Sequence, residues 1–271
     1  MGMFINTNVG AINANRNLNF NNTNMSKTME KLSSGYRINR AADDAAGLAI
    51  SEKMNYQING LNQAQRNAQD GISFLQTAEG DLTEVHSMLQ RMNTIANQAK
   101  NGTYVTTDRN KLQLEVDQLL TEINRVTNNS KFNGVNLLNT TAAVDFQIGV
   151  TKGETLTVKL SKNGTTALKI DTIKVDTVTN AGNAMSAIAA AIDTVSTNRA
   201  QLGAYQNRLE HTINSLGVTS ENLSAANSRI KDADMATEMT AFTKNQILVQ
   251  AGTAMLAQAN SAPQAVLKLL G

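Results

Sequence analysis

The chain has 271 residues, with no cysteine or tryptophan, a single proline, 4% aromatic residues, and 24 basic against 22 acidic side chains. Thiolate metal sites, iron–sulfur clusters and disulfides are therefore excluded, and a net charge of +2 without a basic patch argues against nucleic acid as a partner. No apolar run approaches the roughly 20 residues of a membrane-spanning helix, so membrane insertion is not expected, whereas the near absence of proline favours long helices.

The first predicted helix carries an apolar seam at every seventh residue. Its members are Phe4, Ala11, Leu18, Met25 and Leu32, and the companion positions along the same seam are asparagines. Most helix stability in proteins comes from packing of an apolar face. This helix is therefore expected to need partners.

Two further helices follow. Apolar residues at three- and four-residue steps run from Ile58 to Ala99 and predict a helix about 62 Å long. A shorter stripe predicts a third helix and consists of Leu112, Val116, Leu119, Ile123 and Val126.

The segment of about 132–176 has a β pattern. Apolar and polar residues alternate over 144–148 and 156–160, which predicts two strands. Asn163-Gly164 is predicted to turn a hairpin into 167–170. Further turn signals are Asn133-Gly134 and Lys152-Gly153.

The helical pattern returns after the β-rich segment. An apolar stripe from Met185 to Ile230 predicts a helix of about 70 Å. The final stripe comprises Leu248, Ala251, Gly252, Met255, Ala259, Ala262, Val266 and Leu269.

This order of elements predicts a mainly α fold: a long antiparallel helical rod or coiled coil with a small β-hairpin region in the middle of the chain. The two chain ends then lie side by side. Because their seams are thin, the terminal helices are expected to be loose in a monomer and ordered by other copies. The pattern indicates a self-assembling subunit.

No catalytic or cofactor-binding constellation is found. The two histidines, His86 and His211, lie inside helical patterns, and the sequence lacks the zinc-protease, phosphate-loop and nucleophile-elbow motifs. The adjacent carboxylates Asp43 and Asp44 are best explained as charges at the start of a helix. Neither an enzyme nor a cofactor is expected.

Both chain ends nevertheless carry specific motifs. They are L-S-S-G-Y-R-I-N-R-A-A-D-D-A-A-G-L-A-I at 32–50, L-G-A-Y-Q-N-R-L-E at 202–210, S-E-N-L-S-A-A-N-S-R-I-K-D-A-D-M-A-T-E at 220–238 and N-Q-I-L-V-Q-A-G-T-A-M-L-A-Q-A-N at 245–260. With I-N-T-N at 5–8 and P-Q-A-V-L-K-L-L at 263–270, this order resembles bacterial flagellin, in its short Bacillus-like form.

The resemblance implies a structural subunit of the flagellar filament, used for swimming. Its inner terminal coiled-coil domain would be 1–42 with 232–271. Its rod domain would be 43–231, without a large outer domain. The alternative is a hook–filament junction protein of the same superfamily.

The implied partners are further copies of the chain, a secretion chaperone, and the filament cap and hook-junction proteins. The implied location is extracellular. Export would use the flagellar type III apparatus without a cleaved signal peptide, since the N-terminus lacks the basic start and apolar stretch of such a peptide.

Three sets of site residues follow from the resemblance and the patterns. The connector between domains comprises Arg37, Arg40, Asp43 and Asp44. A face similar to the segment bound by a host Toll-like receptor comprises Gln90, Arg91, Ile95 and Gln98, with Glu115 on the neighbouring helix. The seam buried between copies comprises Leu18, Met25, Leu32, Leu248, Met255, Val266 and Leu269.

Overall fold

The computed structural model describes the backbone of residues 7–270 and the side chains of residues 7–261. Its helices are α1 (Val9–Ser34), α2 (Ala45–Lys100), α3 (Thr106–Asn129), α4 (Val178–Lys231) and α5 (Met235–Leu270). The strands, all between α3 and α4, are β1 (Lys131–Phe132), β2 (Val135–Asn136), β3 (Ala143–Gln147) and β4 (Thr155–Lys159). The predicted mainly α fold with a small β region in the middle is confirmed.

The chain divides into two compact units. Unit 1 contains residues 1–58 and 221–271, and unit 2 contains residues 59–220. The domain bounds predicted from the sequence, 42/43 and 231/232, fall at the connectors between helices and stay a prediction. The two compact units divide within the residue ranges of α2 and α4.

Unit 2 has a continuous apolar core. Within it α2 and α4 run antiparallel, with Gln206 Nε2 donating to Glu79 Oε2 at 3.2 Å and Ser220 Oγ to Asn62 Oδ1 at 3.1 Å. The predicted stripe of α2 is buried from Leu61 to Ala99, except for Ile72, which is partly buried against the same core. The largest buried side chains of this core are Leu75, Leu82, Leu89, Met92, Ile95, Ile123, Leu137, Leu138, Ile170, Ile188 and Leu209.

Helix α3 buries a stripe slightly wider than the predicted one. Val116 and Ile123 are fully buried, and Leu112, Leu119 and Val126 are partly buried against the same core, as the pattern indicated. Leu120 is buried as well.

Two antiparallel hairpins cover this core. Asn133 and Gly134 join β1 to β2 with φ of 47° and 83°, as expected of an Asn-Gly turn. Strand β3 pairs with β4 from Ala143↔Lys159 to Gln147↔Thr155. The ring of Phe74 on α2 contacts Phe132 and Phe146 edge-on, at centroid distances of 5.7 and 5.6 Å.

The third predicted strand, at 167–170, is wrong. This segment forms turns, in which the Leu168 amide donates to Gly164 O at 3.0 Å and the Ile170 amide to Thr165 O at 2.9 Å. Leu168 and Ile170 are buried in the core of unit 2. Their alternation therefore reflects the burial of a turn, which a short pattern does not distinguish from strand pairing.

Candidate assembly surfaces

Unit 1 has almost no core of its own. Among the described residues of this unit, Ile38 is the one large hydrophobic side chain that is buried, at 1% exposure. Its exposed large hydrophobic residues are Val9, Ile12, Phe20, Met29, Tyr36, Ile50, Tyr56, Met235, Met239, Ile247, Leu248 and Met255. A folded helical unit that leaves this much apolar surface in water presents a surface for association.

Helix α1 begins and ends at well-defined caps. The Asn8 side chain accepts a hydrogen bond from the Ala11 amide at 3.0 Å, which caps the first turn. The helix ends at Gly35, where φ is 74° and the amide donates to Lys31 O at 2.9 Å.

Helix α1 packs antiparallel against α5. Asn8 Nδ2 donates to Ala259 O at 2.7 Å, and Lys31 Nζ lies 3.0 Å from Glu238 Oε1. Between these ends Gly252 faces Leu18 so closely that an added Cβ would lie 3.2 Å from Leu18 Cδ1. Leu18, Met25 and Leu32 of the predicted α1 seam are all half-buried, and Phe4 lies outside the described residues.

The α5 side of this pair differs from the predicted stripe. Most of its half-buried positions recur at three- and four-residue steps, namely Phe242, Asn245, Val249, Gly252, Leu256 and Ala259. Leu248 and Met255 are 39% and 65% exposed, so they do not face α1. The side chains of Val266 and Leu269 lie outside the described residues.

The reason for this difference is that α5 carries apolar residues on more than one face, half-buried ones such as Val249 and Leu256 and exposed ones such as Ile247 and Met255. A helix of this kind satisfies a three- and four-residue repeat in more than one register, and the pattern does not indicate which face meets α1. Leu248 and Ile247, with Thr240, Thr243 and Lys244, line an open groove of about 460 Å³ on α5.

The connectors α1–α2 and α4–α5 are bonded to each other within unit 1. The Arg37 amide donates to Lys231 O at 2.7 Å, and the Ala233 amide donates to Gly35 O at 2.9 Å. Arg37 Nη2 also donates to Ile230 O at 2.6 Å, and Lys231 Nζ lies 5.1 Å above the ring of Tyr36. The predicted connector residues therefore lie inside unit 1.

The remaining predicted connector residues organise the local backbone. Arg40 Nε donates to Glu30 Oε1 at 2.8 Å, and Asp43 Oδ2 accepts from the amides of Arg40 and Asn39 at 3.0 and 3.2 Å. Asp44 Oδ1 accepts from the Gly47 amide at 2.8 Å, which caps the first turn of α2. The expectation that this carboxylate serves a helix start is thus met.

The pKa of the Asp43 carboxyl lies below its ordinary value of 3.8, first because of the hydrogen bond from the Arg40 amide and then because of that from Asn39. A carboxyl with a lowered folded-state pKa stabilises the fold above its unfolded-state pKa, and this stability is lost as the pH falls through the folded-state pKa. We expect Asp43→Asn to lower the melting midpoint of unit 1 at neutral pH and to lose this effect as the pH falls below the lowered pKa of the Asp43 carboxyl. Chemical-shift titration of the Asp43 carboxyl should give a midpoint below 3.8. A midpoint at or above the ordinary value would contradict the bonded connector.

Residues predicted to meet a host receptor are only partly brought together. Arg91 Nη2 lies 2.7 Å from Glu115 Oε1, so these two side chains form an ion pair between α2 and α3. Gln90 and Gln98 are exposed and bond to His86 and Tyr104. Ile95 is 1% exposed, which corrects the expectation that it shares the exposed face of Arg91. The buried stripe of α2 is wider than the predicted one and includes this position.

The sequence reading missed several residues that hold unit 1 together. Asp234 accepts hydrogen bonds from the amides of Ala236 and Thr237 at the start of α5, and the bond from Thr237 is the main reason why its pKa is lowered. The Lys31–Glu238 pair and the α1-facing residues of α5 were also missed. A seven-residue repeat that begins at Phe242 identifies these α5 residues.

Two absences hold for the part of the chain that the structure describes. Among these residues, histidine and carboxylate side chains nowhere form a group of three or more that could hold a metal ion. In the same residues, no helix combines the length and apolarity that crossing a bilayer requires.

Two family models match the chain. The bacterial flagellin N-terminal helical region matches residues 5–143, and the bacterial flagellin C-terminal helical region matches residues 185–270. The flagellin of Halalkalibacterium halodurans is 54% identical over 271 residues, covering 99% of this chain and 100% of that one. The flagellin of Bacillus subtilis is 48% identical over 303 residues, again covering 99% and 100%.

Solved structures agree with these matches. The crystal structure of Bacillus cereus flagellin is 32% identical, with a TM-score of 0.52 over 60% of this chain and 94% of that one. A hook-associated protein from Vibrio parahaemolyticus shares the fold, with a TM-score of 0.61 over 70% of this chain and 100% of that one, at only 13% identity. From both family models and the full-length relatives, the chain belongs to the bacterial flagellin family, in its short Bacillus-like form.

Proposed function

We propose that the chain serves as a structural subunit of the bacterial flagellar filament by burying the exposed apolar faces of unit 1 against further copies of itself. The observation that carries this proposal is the near absence of a core among the described residues of unit 1, compared with the continuous core of unit 2. Burial of each large side chain contributes about 1.5–3 kcal/mol. Contacts between copies supply the burial that unit 1 does not achieve alone.

Helix α5 is the principal element of this proposed contact. One face meets α1, and the apolar residues Ile247, Leu248 and Met255, which lie off that face, remain 59%, 39% and 65% exposed. The seam residues of α1 and α5 therefore have different proposed roles. Leu18, Met25 and Leu32 hold α1 against α5, whereas Leu248 and Met255 contact the neighbouring copy.

The double substitution Leu248→Ser with Met255→Ser tests this assignment. Because both side chains are exposed in the monomer, the melting midpoint of the monomer should change little. Elongation on filament seeds should be lost, because the contact between copies loses about 3–6 kcal/mol of burial free energy. Light scattering and electron microscopy measure elongation.

The matched control is Gln250→Ser with Gln258→Ser, two exposed polar positions on the same helix that should leave elongation unchanged. A second comparison, Leu256→Ser, should loosen the α1–α5 pair of the monomer itself. Normal elongation by the Leu248/Met255 variant would refute the proposed contact.

The bonded connectors carry a second part of the proposal. Arg37 Nη2 donates to Ile230 O at the end of α4, while Asp43 and Asp44 accept backbone hydrogen bonds from Arg40 and Gly47 and so order the chain that leads into α2. We propose that this connector sets the filament shape. Asp43→Asn filaments should accordingly differ in helical shape from the wild type.

We also propose the location and partners that go with this role. The subunit belongs to the extracellular filament, is exported through the flagellar type III apparatus, and meets the filament cap and hook-junction proteins at the filament ends. A secretion chaperone would cover the apolar face of α5 before export. The exposure of Ile247 and Met255 supports the need for such a cover.

A junction role is not favoured by any particular residue. The likeness to the Vibrio parahaemolyticus protein, at 13% identity, shows the fold alone. Growth of long filaments from this chain by itself on seeds supports the filament role, and growth that stops after a short layer would support the junction role.

Recognition of the monomer by a host Toll-like receptor is a further proposal, supported by the exposed Arg91–Glu115 pair. These side chains are 56% and 41% exposed, and arginine is a frequent hot-spot residue because it combines contact area with several donors. Ile95 is left out of the proposed contact because it is buried.

In a receptor reporter assay, Arg91→Ala and Glu115→Ala monomers should each lose at least about tenfold in potency, as expected of a hot-spot contact. Arg125→Ala is the matched control, because Arg125 is 59% exposed and pairs with Glu122 on α3. Full potency of both variants, with a responding wild type, would remove these residues from the proposed contact.

A further inference from the structure

The chain contains four Asn-Gly dipeptides, at 59–60, 101–102, 133–134 and 163–164. This dipeptide is chemically labile, since glycine has no side chain to keep its amide nitrogen away from the preceding carboxamide. The reaction also needs a backbone free to bring that nitrogen onto the Asn Cγ atom. The four sites differ sharply in this freedom.

Two of the sites are held rigidly. Asn59-Gly60 lies in the interior of α2, where the helical backbone keeps the Gly60 amide directed along the helix. Asn163 is 2% exposed, and its carboxamide donates to Ser161 O at 2.8 Å and accepts from Asn198 Nδ2 at 2.7 Å. Either site reacts only after local unfolding.

The third site, Asn133-Gly134, is exposed but lies in the paired β1–β2 hairpin. Both residues adopt the left-handed conformation, with φ of 47° and 83°. Closing a five-membered ring on Asn133 changes its ψ, so the pairing of Phe132 with Val135 has to open first. This site is therefore slowed by the turn that it forms.

The fourth site, Asn101-Gly102, lies outside the helices and the paired strands, and its restraints are bonds to the Asn101 main-chain carbonyl from the Tyr104 amide at 3.4 Å and from Arg109 Nη2 at 3.1 Å. Both residues are exposed and lie between the end of α2 at Lys100 and the start of α3 at Thr106. Within the described part of the chain, the Gly102 amide donates no hydrogen bond. The Thr103 amide donates to Asn101 Oδ1 at 3.3 Å, which places a donor at the oxygen where negative charge develops during attack.

We propose that Asn101-Gly102 is a site of spontaneous modification, at which Asn101 is converted to aspartate and isoaspartate. The Gly102 nitrogen forms a bond to Asn101 Cγ, its proton passes to hydroxide in the solvent, and the Cγ–Nδ2 bond breaks. The leaving nitrogen takes up a proton from water and departs as ammonia. One water molecule then opens the succinimide at either carbonyl, and no redox step is involved.

The buried Arg109 is placed to hold the isoaspartate product. Arg109 is 8% exposed and donates from Nε to Ala99 O at 2.8 Å and from Nη2 to Asn101 O at 3.1 Å. In isoaspartate this former main-chain carbonyl becomes a free carboxylate. The hydrogen bond from the Arg109 guanidinium to this carboxylate is then charge-assisted, so the turn should persist after the conversion. The net charge of the chain falls by one.

Peptide mapping by mass spectrometry tests the proposal on the full-length monomer at mildly alkaline pH. In the folded chain, Asn101 should convert at least about tenfold faster than Asn59 or Asn163, because each 1.4 kcal/mol of local opening slows a protected site about tenfold. In guanidinium chloride the four sites should react at similar rates. Equal folded-state rates, or an unreactive Asn101, would overturn the proposal.

The variant Gly102→Ala separates the chemistry from folding. A Cβ at this position would meet no atom within 4 Å, and φ is not in the left-handed region, so the fold should be retained. The added methyl group hinders attack, and conversion at Asn101 should fall at least about tenfold while that at Asn133 is unchanged. Unchanged conversion at Asn101 would refute the proposed route.

Discussion

Deletion of α5, residues 235–270, should abolish growth on filament seeds and leave the unfolding midpoint of unit 2 unchanged. The core of unit 2 is built from residues 68–209, none of which belongs to α5. The deletion removes both the partner of α1 and the exposed face of Leu248 and Met255. Circular dichroism melting and electron microscopy of seeded samples measure the two effects.

The same experiment predicts a change in α1. An isolated helix of this length with asparagines along its seam is marginal in water, so α1 should lose hydrogen-exchange protection when α5 is removed. In the intact monomer, α1 and α5 should already exchange faster than the core helices of unit 2, and in filaments they should be strongly protected. Equal protection of both units in dilute intact monomer would contradict assembly-coupled ordering.

Substitution of Leu89 by alanine should have the opposite pattern of effects. Leu89 is fully buried among the core residues of α2, so its loss should lower the free energy of unfolding of unit 2 by about 2–5 kcal/mol, from lost burial and the cavity that remains. Chemical denaturation of the monomer measures this change. Below its melting temperature, the variant should still elongate filaments, because unit 1 is not altered.

Leu114→Ala is the matched control for this prediction. The side chain removed is the same, but Leu114 on α3 is 65% exposed, and surface substitutions of this kind usually change stability by no more than about 0.5 kcal/mol. If Leu89→Ala and Leu114→Ala lower the free energy of unfolding by similar amounts, burial of the side chain does not determine the stability of unit 2.

The helices could be predicted from the sequence because their signals are local. A single proline leaves long segments uninterrupted, and the stripe from Leu61 to Ala99 repeats at helical steps throughout. The Asn133-Gly134 turn was flagged for the same reason, since its left-handed conformation is a property of the two residues themselves. The family was recognisable from the terminal motifs alone.

Other features depended on which surfaces meet in three dimensions. Leu248 and Gly252 both belong to the apolar stripe of α5, but Gly252 lies against Leu18 of α1 and Leu248 is exposed. A helix with apolar residues on more than one face does not encode its own orientation, and the choice of face is made by close packing against its partner.

Burial around the α2–α3 pair followed the same rule. The sequence placed Arg91, Ile95 and Glu115 together, and the structure pairs the two charges while burying Ile95. Likewise the alternation at 167–170 predicted a strand, and the structure buries Leu168 and Ile170 in a turn. Local periodicity determined where helices form and which residues are apolar, whereas contacts between distant segments decided which apolar residues are covered, because burial depends on the partner surface as well as on the residue.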